Sequence, residues 1–426
     1  MRPIDRSILA IALPAIVSNI TVPVLGLVDV AIVGHFGAAA FIGAIAVGST
    51  LFNMLYWLLG FLRMATAGLT AQAFGAADHR ASEATLWRSL VIAAVFAVLL
   101  IALSTPLGRA ILDFLDADEA VRPLAERYFS ICIWGAPAVL ATYVFNGWSL
   151  GMQNTRLPMV VAITTNVVNI VLSLAFVYGA GMQLEGVALG TMLSQWLGAV
   201  IFVTCIIFRY KLHRVARIQL FDATALRRLF SINTDIFLRT LCLVAVTVWF
   251  TRAGAGQGVA ILAANALLMQ LFMFFSYFSD GFAYAGEALA GKAHGAADSA
   301  GLRQTVKALL QWGAGIAVAF TIIYYLGGEV ILRLLTDEPG VVATAREYLP
   351  WAVAVPACGI LAFIYDGIFI GLTATRRMLV SIAVSAGVFF GVYALAFSTL
   401  GNHGLWLAFD VYLLLRGLWL ALALRS

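Results

Sequence analysis

Asn146-Gly147-Trp148-Ser149-Leu150-Gly151-Met152-Gln153-Asn154-Thr155-Arg156 lies over Asp366-Gly367-Ile368-Phe369-Ile370-Gly371-Leu372-Thr373-Ala374-Thr375-Arg376 at an offset of 220 residues, with both glycines, the threonine and the arginine shared. The same offset relates Gly75-Ala76-Ala77-Asp78 to Gly295-Ala296-Ala297-Asp298, Thr85 to Thr305, Val121 to Val341 and Tyr128 to Tyr348. A chain that matches itself at one fixed spacing is built from two copies of a unit. Composition says what the unit is. Apolar residues make up 62% of the 426 residues and charged residues 11%, against about 45–50% and about 25% in soluble domains. Too little polar surface remains to cover a water-soluble body of this size, so lipid is the solvent. Internal repetition in a polytopic membrane protein is the usual build of a secondary transporter, with the substrate path between the halves.

Apolar stretches long enough to cross a bilayer, about 20 residues each, fall near 8–34, 40–73, 89–111, 128–152, 158–180, 185–208, 229–251, 258–290, 307–328, 347–371, 378–400 and 403–424. Arg2 and Arg6 ahead of the first stretch resemble a signal-peptide start. That run, however, contains Pro14, Pro23 and Asp29 and outlasts a signal peptide's short apolar region, so it is expected to be a retained span. With both termini cytoplasmic, the inward segments hold seventeen basic residues and the outward ones six, the asymmetry of a multi-pass cell-membrane (inner-membrane) protein. Each half has an even number of spans, so both copies enter the membrane in the same orientation. The expected fold is therefore an all-α polytopic membrane protein of twelve transmembrane helices in two six-helix lobes. A parallel pseudo-two-fold repeat relates the lobes, which form a V around a central cleft. The N-lobe is placed at 1–208, a cytoplasmic linker at 209–228 and the C-lobe at 229–426.

The net charge of +5 is assigned to cytoplasmic loops, because no Lys/Arg stripe with interleaved aromatics marks a nucleic-acid surface. The four cysteines lie in apolar stretches without metal-ligand spacing and are read as small core residues. All five histidines fall at span ends or in loops, which leaves no membrane-embedded catalytic or metal-ligand arrangement. No enzyme activity, metal or cofactor is expected. The partners are membrane lipid and small amphipathic molecules, and the chain is expected to function as a monomer.

Polar side chains at membrane depth cost several kcal/mol, so each needs a partner or a purpose. Six acids lie within the spans (Asp29, Asp235, Asp280, Glu287, Asp366, Asp410) and only three bases (Arg63, Arg239, Arg416). At least three carboxylates therefore lack a one-to-one partner. An unpaired buried carboxylate takes up a proton or a cation, because burial disfavours its charge. Asp29 follows Pro23, which has no N–H for the carbonyl of Asn19 and is expected to kink the helix. Asp29 is thus either a titrating group beside a bistable bend or a water-exposed acid near the span end. In the fifth span Asn166, Asn169 and Ser173 share one helical face; Asn146 in the fourth and Thr191 and Gln195 in the sixth are placed to line the same interior. Plain interhelical hydrogen bonding is the competing reading for each. Tyr277, Asp280, Tyr284 and Glu287 form one stripe on the eighth span. Asp235 and Arg239, at i and i+4, either neutralise each other or leave Arg239 to reach Asp280. Asp366 has no base near it in sequence before Arg376, and is the second candidate for cation binding.

At these residues the chain resembles the MATE family of multidrug and toxic-compound extruders, and within it the DinF branch. The resemblance is carried by Leu13-Pro14, by Gly26-Leu27-Val28-Asp29 through Gly34-His35, and by Leu62-Arg63-Met64 leading into Gly68 and Gln72. It continues in Asp235-Ile236-Phe237-Leu238-Arg239, in Asp280-Gly281-Phe282 through Glu287, in Gly291-Lys292 and in Asp366-Gly367 through Gly371. It implies export of amphipathic, often cationic compounds against inward H⁺ or Na⁺. It implies, too, that Asp29 is the family's proton-linked first-helix aspartate, that Asn169 is an asparagine of the N-lobe site, and that Asp366 is the aspartate that binds Na⁺ in the NorM branch. One departure stands out: many relatives carry an aspartate where this chain reads Ser173, which leaves Asp29 as the sole acid of an N-lobe site. The expected function is a drug/H⁺ antiporter, with Na⁺ coupling as a close variant. A lipid-linked or oligosaccharide flippase of the same superfamily is the alternative, disfavoured by a membrane interior with more acids than bases.

Overall fold

The structure is a computed structural model of the chain, and residues 2–34, 39–114, 119, 121–210, 212 and 221–425 are described. The described residues form helices joined by short turns, with no strand among them. Lipid offers no hydrogen-bond partner to the backbone, so each span must satisfy its own N–H and C=O groups. The helices are α1 (Pro3–Gly34), α2 (Ala39–Leu58), α3 (Phe61–Gly75), α4 (His79–Ala102), α5 (Ser104–Phe114), α6 (Arg122–Cys132), α7 (Ala136–Gly151), α8 (Arg156–Leu174) and α9 (Leu184–Tyr210). After the linker come α10 (Ala223–Ala255), α11 (Val259–Gly295), α12 (Ser299–Leu335), α13 (Pro339–Gly371), α14 (Thr375–Leu400) and α15 (Asn402–Arg425). Among the described residues, twelve segments are long and apolar enough to cross a membrane, with α2–α3 and α6–α7 each counting as one broken span. Of the linker, Lys211 and 213–220 lie outside the described residues, as do His35, Asp116 and Asp118.

Chain contacts divide the molecule into Pro14–Phe230 and a second unit of Met1–Leu13 with Ser231–Ser426. The first thirteen residues belong to the second unit through specific bonds. Arg2 donates to Gln311 Oε1 at 2.7 Å, and Trp312 Nε1 donates to Asp5 Oδ1 at 3.2 Å.

The repeat seen in sequence is a repeat of packing. In the first unit a Cβ on Gly147 would collide with the backbone carbonyl of Arg63, and one on Gly151 would stand 2.8 Å from Ala67 O and Ala71 N. In the second, Gly367 meets the backbone of Ala283, and Gly371 meets Gly291 N at 2.8 Å and Glu287 O at 2.5 Å. All three backbone partners, Arg63/Ala283, Ala67/Glu287 and Ala71/Gly291, are themselves 220 apart. Each half thus clamps two helices, α3 with α7 and α11 with α13, through glycines four residues apart, a spacing that lets two backbones touch.

The repeated Gly-Ala-Ala-Asp is a helix stop followed by a start. Ala77 and Ala297 take left-handed backbone (φ 55° and 54°), a conformation costly for any residue with a Cβ, while Asp78 and Asp298 cap the next helix by accepting Ala81 N at 2.9 Å and Gly301 N at 2.8 Å. Two expected boundaries are corrected as a result. The third span begins at His79 and breaks after Ala102, rather than running 89–111, and the ninth runs Ser299–Leu335 rather than 307–328. Their polar first turns hid them, because a capped helix tolerates polar residues where it emerges from lipid. α1 stays helical through Pro14 and Pro23.

Substituting Gly147→Ala or Gly367→Ala is expected to lower stability by about 1–3 kcal/mol, the usual cost of overpacking, read as a fall in melting temperature in detergent. Gly391→Ala, where nothing lies within 4 Å of the added carbon, should melt like wild type; equal melting of all three would refute the clamp.

Candidate functional site

Two polar clusters sit inside the helix bundles, one in each unit. In Pro14–Phe230, α8 presents Asn169 and Ser173 one turn apart, 1% and 0% exposed. Asn169 Nδ2 donates to Thr191 Oγ1 on α9 at 3.1 Å, and Ser173 Oγ to Asn169 Oδ1 at 3.4 Å. Gly190 lies against the Ser173 backbone, which is what lets α9 approach α8 so closely. Asn166, on the same face, donates through Nδ2 to the carbonyl of Thr21 on α1 at 3.3 Å, two residues before Pro23. The cluster thereby ties the fifth span to the proline region of the first. Two residues after Ser173 the helix widens into a π-helical turn at Ala175–Gly179. Gln195 is half-buried and lies against Gly135, and among the described residues its Oε1 has no hydrogen-bond partner. Asn146 is half-buried on α7 beside the clamp glycine. Asp29 belongs to α1, but its side chain lies outside the described residues. Arg63 is half-buried on α3, with its carbonyl in the glycine clamp.

In the second unit the charges are arranged otherwise than sequence spacing suggested. Arg239 on α10 and Arg416 on α15 both donate through Nη2 to the same oxygen, Oδ2 of Asp366 on α13. The three side chains are buried to 6–8% exposure. Asp235, one turn before Arg239, turns to a different helix and accepts Thr375 Oγ1 of α14 at 2.8 Å. The i, i+4 pair therefore does not neutralise itself: each member holds another helix, and Arg239 reaches Asp366 rather than Asp280. The reading of Asp366 as a carboxylate open to a cation is corrected too. Its bases come from helices 127 and 50 residues away, and with two guanidinium groups on one oxygen the cluster is positively charged. Among the described residues, Arg239 Nε, Arg416 Nε and Asn233 Oδ1 have no hydrogen-bond partner. On α11, Glu287 is 1% exposed, while Tyr277, Asp280 and Tyr284 are half-buried, Tyr277 within the field of Asp280.

Sequence reasoning missed the state of Asp410 on α15, which is 5% exposed with neither oxygen hydrogen-bonded. A signal existed. Arg416 is six residues further along, which turns it about 120° away on the helix, so it was never placed to neutralise Asp410.

The arrangement can do two things chemically: bind a polar or cationic group against the α8–α9 amides and hydroxyls, and hold a fixed positive charge at Asp366. Among the described residues no group of three His, Cys, Asp or Glu side chains is placed to hold a metal ion.

Comparison with known proteins agrees with this architecture. The MatE family model matches the chain twice, over residues 14–175 and 235–394, once in each half. The DNA damage-inducible protein F of Escherichia coli is 41% identical over 419 residues, covering 98% of this chain and 91% of that protein. A probable multidrug resistance protein NorM of Thermotoga maritima is 26% identical over 370 residues, covering 80% of this chain and 75% of its own. Among solved structures, the Vibrio cholerae MATE transporter VcmN in its bent form superposes with a TM-score of 0.88 at 20% identity, covering 99% and 97% of the two chains. A MOP superfamily transporter from Pyrococcus furiosus gives 0.86 at 18% identity, covering 99% and 95%.

Asp366→Asn is expected to cost about 3–5 kcal/mol, the range for stranding a buried charge by removing its partner. The triple change Asp366→Leu, Arg239→Met, Arg416→Met should recover most of that loss in thermal unfolding. A triple variant no more stable than Asp366→Asn would show that the ion cluster is not what the single change disturbs.

Proposed function

Because the chain belongs to the MATE family of multidrug-efflux transporters, we propose that it exports amphipathic, cationic organic compounds in exchange for inward protons. The observation that carries this reading is the double family match, one copy per half, in a chain whose relatives include proteins named for multidrug resistance. Both termini are placed in the cytoplasm of a cell-membrane protein by the basic residues of the loops. The chain works as a monomer in lipid, without a cofactor, the coupling ion being its only inorganic partner.

The mechanism follows from competition. A carboxylate cannot hold a proton and a cationic substrate at once, so protonation from outside releases the substrate and deprotonation inside prepares the next binding event. Asp29 is the acid assigned to this exchange in the first unit. Asn166, Asn169, Ser173 and Thr191 supply the neutral polar lining, with Asn146 and Gln195 at its margins. The hydrogen bond from Asn166 to Thr21 offers a route by which a change at α1 reaches the lining. Tyr277, Tyr284, Asp280 and Glu287 play the corresponding part in the second unit. Protons are preferred to Na⁺ because a metal ion at Asp366 would have to displace two buried guanidinium groups from one oxygen, whereas Asp366 as an anchored anion needs no ion. Arg239 and Asp235 then serve as fixed braces between helices.

In proteoliposomes loaded with a fluorescent cationic dye, an imposed proton gradient should drive efflux and an equal Na⁺ gradient should not. Asp29→Asn should reduce the proton-driven rate at least tenfold. Efflux driven by Na⁺ and indifferent to Asp29 would overturn the assignment; no efflux under either gradient would favour the flippase alternative.

A further inference from the structure

We propose that Asp410 on α15 is a proton-binding site of the second unit, loading and releasing a proton separately from the acid assigned on α1. The residue is 5% exposed, and among the described residues neither Oδ1 nor Oδ2 meets a hydrogen-bond donor. Its equally buried neighbours are engaged, Asp366 by two arginines and Asp235 by the Thr375 hydroxyl. An ionised group in this place carries a desolvation penalty that no protein group offsets. A proton removes the charge and asks for no further ligand, whereas a metal cation needs several oxygens around it.

Among the described residues, no group of three carboxylate, histidine or cysteine side chains is placed to hold a metal ion there. Trp406, Asp410 and Leu413 are i−4, i and i+3, one helical face. Trp406 is fixed by its ring against Phe250 of α10 and by Nε1, which donates to Asn265 Oδ1 of α11 at 2.9 Å. Leu413 lies beside Gly359 of α13. The Cys358 thiol of α13 lies within the field of Asp410. From α14 the buried groups are neutral hydroxyls, Ser381 and Ser385, the first donating to the carbonyl of Arg416 at 3.0 Å.

The acids on α11 and α13 lie further from the end where α15 begins. The Asn265–Asn402 amide pair at 2.8 Å and the Trp351–His403 bond at 3.0 Å mark one level near the start of α15. Counted from that level, Asp410 is eight residues in, while Asp280 and Glu287 on α11 and Asp366 on α13 are fifteen or more. At 1.5 Å per residue Asp410 stands about 10 Å nearer this end than any of them. In the orientation proposed above, this end faces the outside, the side from which protons enter. The role of the site in transport rests on the antiport reading; its existence as a proton site does not.

The test is therefore substrate-free: infrared difference spectra of the reconstituted protein between acid and alkaline pH, reading the carbonyl stretch of protonated carboxyls. Wild type should show a band that is lost in Asp410→Asn and kept in Asp29→Asn. Asp410→Glu, for use should the asparagine variant fail to fold, should shift the band rather than abolish it. Identical spectra for wild type and Asp410→Asn, or a band unmoved in Asp410→Glu, would overturn the proposal. A band that behaves as described in a protein that moves no dye would leave the proton site standing and sink the antiport reading instead.

Discussion

The close approach of two helix backbones at a pair of glycines is the constraint on which each half of this protein depends. Gly147 and Gly151 seat α7 on α3, and Gly367 and Gly371 seat α13 on α11. In lipid there is little hydrophobic force to bring helices together, so van der Waals contact at small residues has to do it. Once α13 is seated, Asp366, the residue immediately before the clamp glycine, is carried into the bundle where α10 and α15 place their arginines. The residue immediately before the other clamp is Asn146. The two halves therefore share a packing device while differing in charge at the same step, a neutral amide in one and an anion in the other.

That difference separates two kinds of buried polar chemistry. Around Asn169 the groups are neutral and satisfy one another over 3.1 and 3.4 Å, an arrangement that can exchange partners with a ligand at modest cost. Around Asp366 they are charged and closely engaged, and removing any one strands the others. The first suits a lining that is visited and vacated in every cycle. The second suits a brace that keeps α10, α13 and α15 together while something else moves. Asp410 belongs to neither class, and that is why it is informative: among the described residues it has no hydrogen-bond donor and no base to hold its charge.

The architecture was legible because it is written in periods and lengths. The 220-residue offset is a match of the sequence with itself, and the twelve apolar stretches and the polar face of α8 come from local spacing; sequence displays both directly. The helix starts at Asp78 and Asp298 were readable only in part, because hydropathy is blind to a capped polar turn. Partnerships between helices were not legible. Arg239 and Arg416 lie 127 and 50 residues from Asp366, and nothing in local spacing joins them. The i, i+4 rule pointed to Asp235 as the partner of Arg239, yet tertiary packing gave each residue a different helix. That rule describes an isolated helix in water, where the two side chains have only each other. Inside a bundle a stronger partner across the interface wins.

The central claim is an exchange in which proton and substrate compete for the same carboxyl chemistry, and coupling of this kind runs in both directions. The most direct measurement traps a pH-sensitive fluorophore inside proteoliposomes at equal pH on both sides and then imposes only a gradient of cationic dye. The account predicts that dye moving one way drives protons the other way and builds a pH difference that a protonophore collapses. Dye that crosses through the protein with no change in internal pH would contradict it.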